Sequence, residues 1–267
     1  MNEKIPSNTP WNNPLPADIG QRLEAVLAQA GRAQQAVEIF FRADDIGPMD
    51  ANLRRLLQIF RRHRLPLCLA VVPAWLDTGQ WRQVEEFAPA DPLWCWHQHG
   101  WNHANHQAEG RKSEFGDQRS EEAIHNDLVR GRERLRTILG PVFFPVFTPP
   151  WNRCSLQTLQ ILARLGYAAV SRTPGARPPA ADLVPDLAVN VDLHTRKEQD
   201  PGAAWQNILR DLARAAGSGR IGVMIHHQLM NERAFAFLEI LLALCSRHQN
   251  LAPCTFRELL PALPGTA

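Results

Sequence analysis

The 267-residue chain is short of several features, and each shortage removes a class of function. It has no run of Lys and Arg. Its basic and acidic residues are interspersed and nearly balanced at a net charge of +2, so nothing in it resembles a nucleic-acid arm, and no nucleic acid is expected as a partner. No apolar stretch approaches the ~20 residues that a membrane span requires, so no membrane role is expected either. The opening segment "MNEKIPSNTPWNNPLP" lacks the apolar core of a secretory leader. Cysteines are few and odd in number (Cys68, Cys95, Cys154, Cys245, Cys254), with no CxxC spacing, and four of them sit inside apolar runs. Buried free thiols in a reducing compartment follow from that, and with them a cytoplasmic protein.

A linker is also missing. The proline-rich patch "RTPGARPPAADLVPD" (172–186) has strand-like runs on both sides and reads as a long loop inside one domain. The expected layout is an N-terminal extension and first helix over 1–36, followed by one domain over 37–267. That is enough chain for a substantial core.

What is present is a regular alternation of periods. Strand-like runs at 37–44, 66–73, 93–99, 142–149, 167–172, 187–193 and 221–227 are separated by helical patterns at 51–63, 78–88, 121–139, 155–166, 203–217 and 232–248. Thr78, Ser120 and Ser155 read as helix N-caps, and Gly140 and Gly166 as stops. Pro145 weakens the fourth strand or places it at a bulge. A short run near "APCTF" could close the set. Apolar, non-alternating strands between helices mean a parallel sheet covered by helices. The expected fold is α/β, a distorted (β/α) barrel of seven or eight parallel strands. A doubly wound open sheet is the alternative. In both, ligands bind at the C-terminal ends of the strands.

The unusual polar residues fall at those ends. Asp44 and Asp45 end the first strand, and His97 and His99 the third. Thr148, Pro149, Pro150, Trp151 and Asn152 follow the fourth. Asp192 and His194 end the sixth strand, and His226 and His227 the seventh. The segment "WHQHGWNHANH" (96–106) alone holds four of the ten histidines. Within it His99 and His103 are four apart, a spacing that puts both rings on one side of a helical turn. With Asp45 they make a two-histidine, one-carboxylate set suited to Zn²⁺ or a similar divalent ion with open coordination positions. His97 reads as a core histidine ahead of a supporting role, and His106 as a loop-surface residue. Paired carboxylates in "RADDIGP" (42–48) allow one to hold a metal while the other takes a proton. In "VMIHH" (223–227), one histidine should face the barrel mouth as a general acid.

In this order the motifs resemble the polysaccharide deacetylase superfamily, carbohydrate esterase family four and its relatives. That family runs "TFDDGP", "H[ST]xxH", "RxPY", an Asp motif and "LxH". Here "RADDIGP", "HGWNH", "FTPPWN", "NVD" and "VMIHH" follow one another, and "ADDIG" is also similar to the "ADDFG" of chitooligosaccharide deacetylases. The resemblance spans roughly 37–260. It implies Asp44 as catalytic base, Asp45, His99 and His103 as metal ligands, and His226 as the acid, with His227 the fallback. Trp101, Pro150, Trp151 and His227 are then the candidates for substrate contact, the tryptophans by stacking on a sugar ring. Two positions depart from the family: Thr148 stands where it has Arg, with Arg42 the candidate replacement, and Gly100 where Ser or Thr is usual.

The resemblance implies a metal-dependent hydrolase, most simply with zinc, that removes an acyl group, N-acetyl first, from a small or oligomeric carbohydrate. Two other readings stay open. One is a weakly active or inactive barrel that binds a glycan or metabolite; the other is a hydrolase of a non-sugar C–N bond.

Overall fold

A computed structural model describes residues 9–28, 36–180, 182–196, 198 and 200–260; the rest of the expected N-terminal extension lies outside them. The fold is of the expected α/β class, a distorted barrel type with parallel strands. The described residues group into two compact units.

The first unit comprises the chain up to Ala43, residues 50–67 and residues 190–255. It contains most of β1 (Val37–Ile46), together with β6 (Val191–Asp192), β7 (Arg220–His226) and β8 (Leu251–Pro253). The strand order is β1-β7-β6, with β8 parallel to β1 on the other side and Val37 opposite Leu251. Helices α1 (Ile19–Leu27), α2 (Ala51–His63), α6 (Pro201–Gly217) and α7 (Glu232–Cys245) cover it. Helix α2 shows why these segments are helical. Asp50 accepts a hydrogen bond from the Leu53 N–H at 2.7 Å and caps it, while Leu53, Leu56, Leu57 and Phe60 recur at helical spacing and are buried. Arg64, left-handed at φ 52°, ends it.

The second unit comprises residues 44–49, 68–189 and the segment from Phe256. Its strands β2 (Leu67–Val71), β3 (Trp94–His99), β4 (Phe143–Thr148) and β5 (Ala169–Val170) lie side by side in chain order. Helices α3 (Thr78–Phe87), α4 (Glu121–Leu139), α5 (Leu156–Arg164) and α8 (Phe256–Leu259) belong to it. Phe115, Leu128, Phe147, Leu159 and Leu162 form its core.

Ser120 and Ser155 cap α4 and α5 as expected. The cap of α3 moves one residue earlier. Asp77 accepts from the Gln80 N–H, and the Gln80 side chain returns a bond to the Asp77 N–H, each at 2.8 Å. That reciprocal box satisfies two backbone donors at once, and Thr78 becomes the first helical residue. Pro145 does sit in an irregularity: Trp96 pairs with Phe143 and Gln98 with Phe147, so two residues of β3 span four of β4. β5 and β6 are far shorter than the runs 167–172 and 187–193 suggest. The pairing continues only as separate bonds to the loop, such as Leu187 N–H to Val170 O and Val189 N–H to Arg172 O, both 2.8 Å. All five cysteines are buried thiols outside any disulfide, and no helix among the described residues is long and apolar enough to cross a membrane.

Candidate active site

β1 delivers two buried carboxylates, Asp44 and Asp45. Consecutive residues of an unbroken strand face opposite sides, but Asp45 has φ 61°, in the left-handed region, and this breaks the alternation. The charges of both carboxylates bear on His99 and on His103. A non-glycine residue in that region costs on the order of 1–3 kcal/mol, and such strain concentrates at functional sites. His103 (φ 54°), Trp151 (φ 56°) and Asn152 (φ 59°) share it.

His99 ends β3. Its Nδ1–H donates to the Thr148 carbonyl at 3.0 Å, and its Nε2 lies 3.1 Å from Asp45 Oδ1. His103 Nε2 lies 3.1 Å from the same oxygen. The His99–His103 ring pair is not assembled by a helical turn as the spacing suggests. Residues 100–106 carry no helix, and the positive φ values of Gly100 (61°) and His103 fold the segment back instead.

The three residues offer ligand atoms that all lie within 4.8 Å of one another. Two facts make this arrangement fit a divalent metal. A carbonyl can only accept, so Thr148 fixes the proton of neutral His99 on Nδ1 and leaves the Nε2 lone pair facing a carboxylate oxygen. Acceptor against acceptor at 3.1 Å calls for a cation between them. Tetrahedral zinc with bonds near 2.1 Å also separates its ligand atoms by about 3.4 Å. The protonation pattern agrees. Burial opposes charge on His99, but the hydrogen bond its protonated ring would donate to Asp45 and the charges of Asp44 and Asp45 outweigh it and raise its pKa. Burial, then His99, push His103 down to about 4. The pocket thus favours a single positive charge.

Around this centre the Trp151 ring lies 4.5 Å from that of His103, and the Trp75 ring 5.8 Å from it. Lys112 Nζ stands 5.9 Å from the Trp151 ring. Trp101 is half-buried against the core, with Arg130 4.2 Å above its ring. Pro150 is buried against Gly100. His97 is fully buried, its Nε2 2.9 Å from the Thr148 hydroxyl and its ring edge-on to Phe256, which is the core role. His106 is exposed.

The remaining candidates belong to the first unit. His226 N–H donates to His194 Nδ1 at 3.1 Å, and His226 Nδ1 is buried with no hydrogen-bond partner among the described residues. His227 is buried, with Nε2 3.7 Å from Asp50 and its carbonyl accepting from Asn52. Asp192 accepts from the His194 and Thr195 N–H groups. Arg42 is fully buried, with Nη2 3.2 Å from Met224 Sδ.

Sequence reasoning passed over Glu114. This buried carboxylate accepts from the Asn102 N–H at 2.7 Å and the Trp101 N–H at 3.2 Å. Burial raises its pKa, against the pull of those backbone bonds. The one signal for it in the sequence was Gly100, where a side chain is expected.

The family model described as "Polysaccharide deacetylase" matches residues 32–170, more than half of the chain. The chain belongs to the polysaccharide deacetylase family. Solved structures carry the same fold. A Mycobacterium smegmatis protein assigned to the polysaccharide deacetylases superposes with a TM-score of 0.60 at 14% identity, over 85% of this chain and 90% of that one. The chitin deacetylase of the fungus Colletotrichum lindemuthianum gives 0.59 at 15%, over 87% and 91%. A family 4 carbohydrate esterase from Streptomyces lividans, solved with acetate, gives 0.52 at 13%, over 86% and 97%. A search of curated protein sequences finds no match. In this member of the polysaccharide deacetylase family, Gly100 and Thr148 are the departures that the geometry explains. A Cβ on Gly100 would lie 2.1 Å from Glu114 Oε2, and the Thr148 hydroxyl is bonded to His97.

Proposed function

We propose that this polysaccharide deacetylase is a metal-dependent hydrolase that removes an acyl group, N-acetyl first, from a carbohydrate. The observation that carries the reading is the convergence of Asp45, His99 and His103 on one point, with the Asp44 charge felt by both rings.

Asp45 Oδ1, His99 Nε2 and His103 Nε2 would hold the ion, most simply Zn²⁺. When bound it supplies a Lewis acid that polarises an acyl carbonyl and makes water more acidic. Asp44 takes the proton from the attacking water. The Thr148 carbonyl keeps the His99 proton on Nδ1, so Nε2 stays available as a ligand. His226 protonates the leaving amine, a role assigned by its place in the order of motifs. Trp151, held beside His103, offers an aromatic face to a sugar ring, and Trp101, Pro150 and His227 are further candidates for substrate contact. Five buried cysteines, none in a disulfide, favour a cytoplasmic setting.

Thr148 gives a specific reason to keep a second reading, a barrel that binds a glycan without turning it over, because the family's Arg is missing there. Acetate release from a panel of N- and O-acetylated sugars by the zinc-loaded protein decides between them. Release that disappears on chelation and returns with zinc supports the hydrolase. Saturable sugar binding with no release supports the binder.

A further inference from the structure

The turn that carries His103 has no secondary structure to satisfy its backbone. Three of its carbonyl or amide groups are tied to neighbours: Gly100 N–H to Thr148 O at 3.2 Å, Gln98 Nε2 to Gly100 O at 3.0 Å, and Ala74 N–H to Trp101 O at 3.0 Å. The next donors along the turn, Trp101 N–H and Asn102 N–H, point into one carboxylate, that of Glu114, and the Ala104 N–H adds a smaller pull on its charge. The three donors flank His103 on both sides. His103 itself is left-handed, a conformation the chain does not hold without support.

Glu114 is rigidly placed. Its neighbour Phe115 is fully buried in the core and accepts from the Ser155 N–H at 2.8 Å. The Ser113 carbonyl accepts from the His106 N–H at 3.0 Å, and the Glu114 carbonyl accepts from Arg119 Nη1 at 3.1 Å. The Glu114 carboxylate also fills the space above Gly100, where an added Cβ would meet Oε2 at 2.1 Å and Pro150 Cγ at 2.6 Å. A side chain at 100 and the Glu114 carboxylate therefore exclude each other.

Resting on the metal-site reading above, we propose that Glu114 is a positioning residue for the metal centre. It clamps the backbone of residues 101–104 from the core side, holds His103 in its left-handed conformation, and so sets His103 Nε2 against Asp45 Oδ1. Gly100 is the companion residue that leaves room for the clamp. Glu114 contributes no atom to the ion and touches no substrate.

The test compares the parent with Glu114→Gln. Glutamine has the same shape but keeps only one acceptor oxygen and turns an NH₂ toward backbone N–H donors. Zinc affinity is measured by competition with a chromophoric chelator, and the visible spectrum of the Co²⁺ form is recorded with the thermal midpoint. We expect Glu114→Gln to fold and to bind zinc about 10- to 100-fold more weakly, the range for groups that orient ligands. Its Co²⁺ absorption should be altered, because the angle of the His103 ligand is no longer fixed. Unchanged affinity with an unchanged Co²⁺ spectrum overturns the proposal. Should Glu114→Gln fail to fold, Glu114→Asp keeps the charge but falls a methylene short of the turn. The same weakening is expected there, and parent-like binding by it overturns the proposal. A parent protein that binds neither Zn²⁺ nor Co²⁺ overturns the metal-site reading itself, an outcome distinct from binding that is indifferent to Glu114.

Discussion

Two groups of histidines in this chain are built in opposite ways. His99 and His103 turn their Nε2 atoms to a single carboxylate oxygen, each at 3.1 Å, and the backbone that holds them is left-handed at Asp45 and His103. His194 and His226 sit at the ends of short parallel strands, with His226 in ordinary extended backbone at φ −119°. There the partners are a backbone N–H and an aromatic ring: His226 N–H donates to His194 Nδ1, and Trp11 packs 5.5 Å from the His194 ring. The first group favours a cation; in the second, the His194 ring is held neutral. Burial, then the nearby His226 and His227, lower the His194 pKa well below its usual value. The same residue type thus faces a carboxylate that favours a cation in one place and, at His194, is held as a neutral hydrogen-bond acceptor in the other.

The largest effect should come from breaking the first group. Structural zinc sites are held by about 12 kcal/mol, and a third of that is about 4 kcal/mol, so His99→Ala should weaken zinc binding roughly a thousand-fold and abolish acetate release. Equilibrium binding with a chelator competitor reads it directly, and parent-like affinity would remove His99 from the ligand set. Asp44→Asn should sharpen the distinction between ligand and base. Turnover should drop about 10²–10⁴-fold while metal is retained, because the amide keeps the volume but accepts no proton. Loss of metal together with activity would exchange the roles of Asp44 and Asp45.

In the first compact unit, His226→Ala should lower kcat toward the lower end of that range with KM little changed, leaving metal in place. His227→Ala should be milder. The reverse order would move the acid to His227, and small equal effects would favour the non-hydrolytic reading.

The smallest effect is on stability. His194 is buried with a lowered pKa, so the unfolded chain binds its proton first as pH falls. Stability that is complete above about pH 6.5 should then decline below it by up to about 1.4 kcal/mol per pH unit from this group. Urea midpoints of the metal-free protein between pH 4 and 7 should show a shallower decline in His194→Gln than in the parent. Parallel curves would mean that His194 charges freely in the folded state.

How much of this was legible in the sequence depended on the range of the interaction. Helices with a local cap and a local stripe were read closely. Ser120, Ser155 and the 51–63 pattern act within one turn of themselves. Asp77 was missed by one residue because a carboxylate and its reciprocal Gln80 outcompete the adjacent threonine. The extents of β5 and β6 were overstated because apolar composition marks burial, and the segments beside them are buried as irregular loop. The donor set Asp45, His99 and His103 was readable from motif order, whereas the turn that assembles it was not. A spacing of four suggested a helix, while the actual fold-back rests on positive φ at Gly100 and His103. Glu114 was illegible for the same reason: ten residues of loop separate it from His103, and only the glycine at 100 hinted that another group occupies that space.

The account rests on the claim that one divalent ion binds where Asp45, His99 and His103 meet. The most direct measurement is the metal content of purified, zinc-loaded and exhaustively dialysed protein, set beside the His99→Ala/His103→Ala double variant. The account predicts one zinc per chain in the parent and none above background in the variant. Zinc absent from the parent, or equal in both, would contradict it.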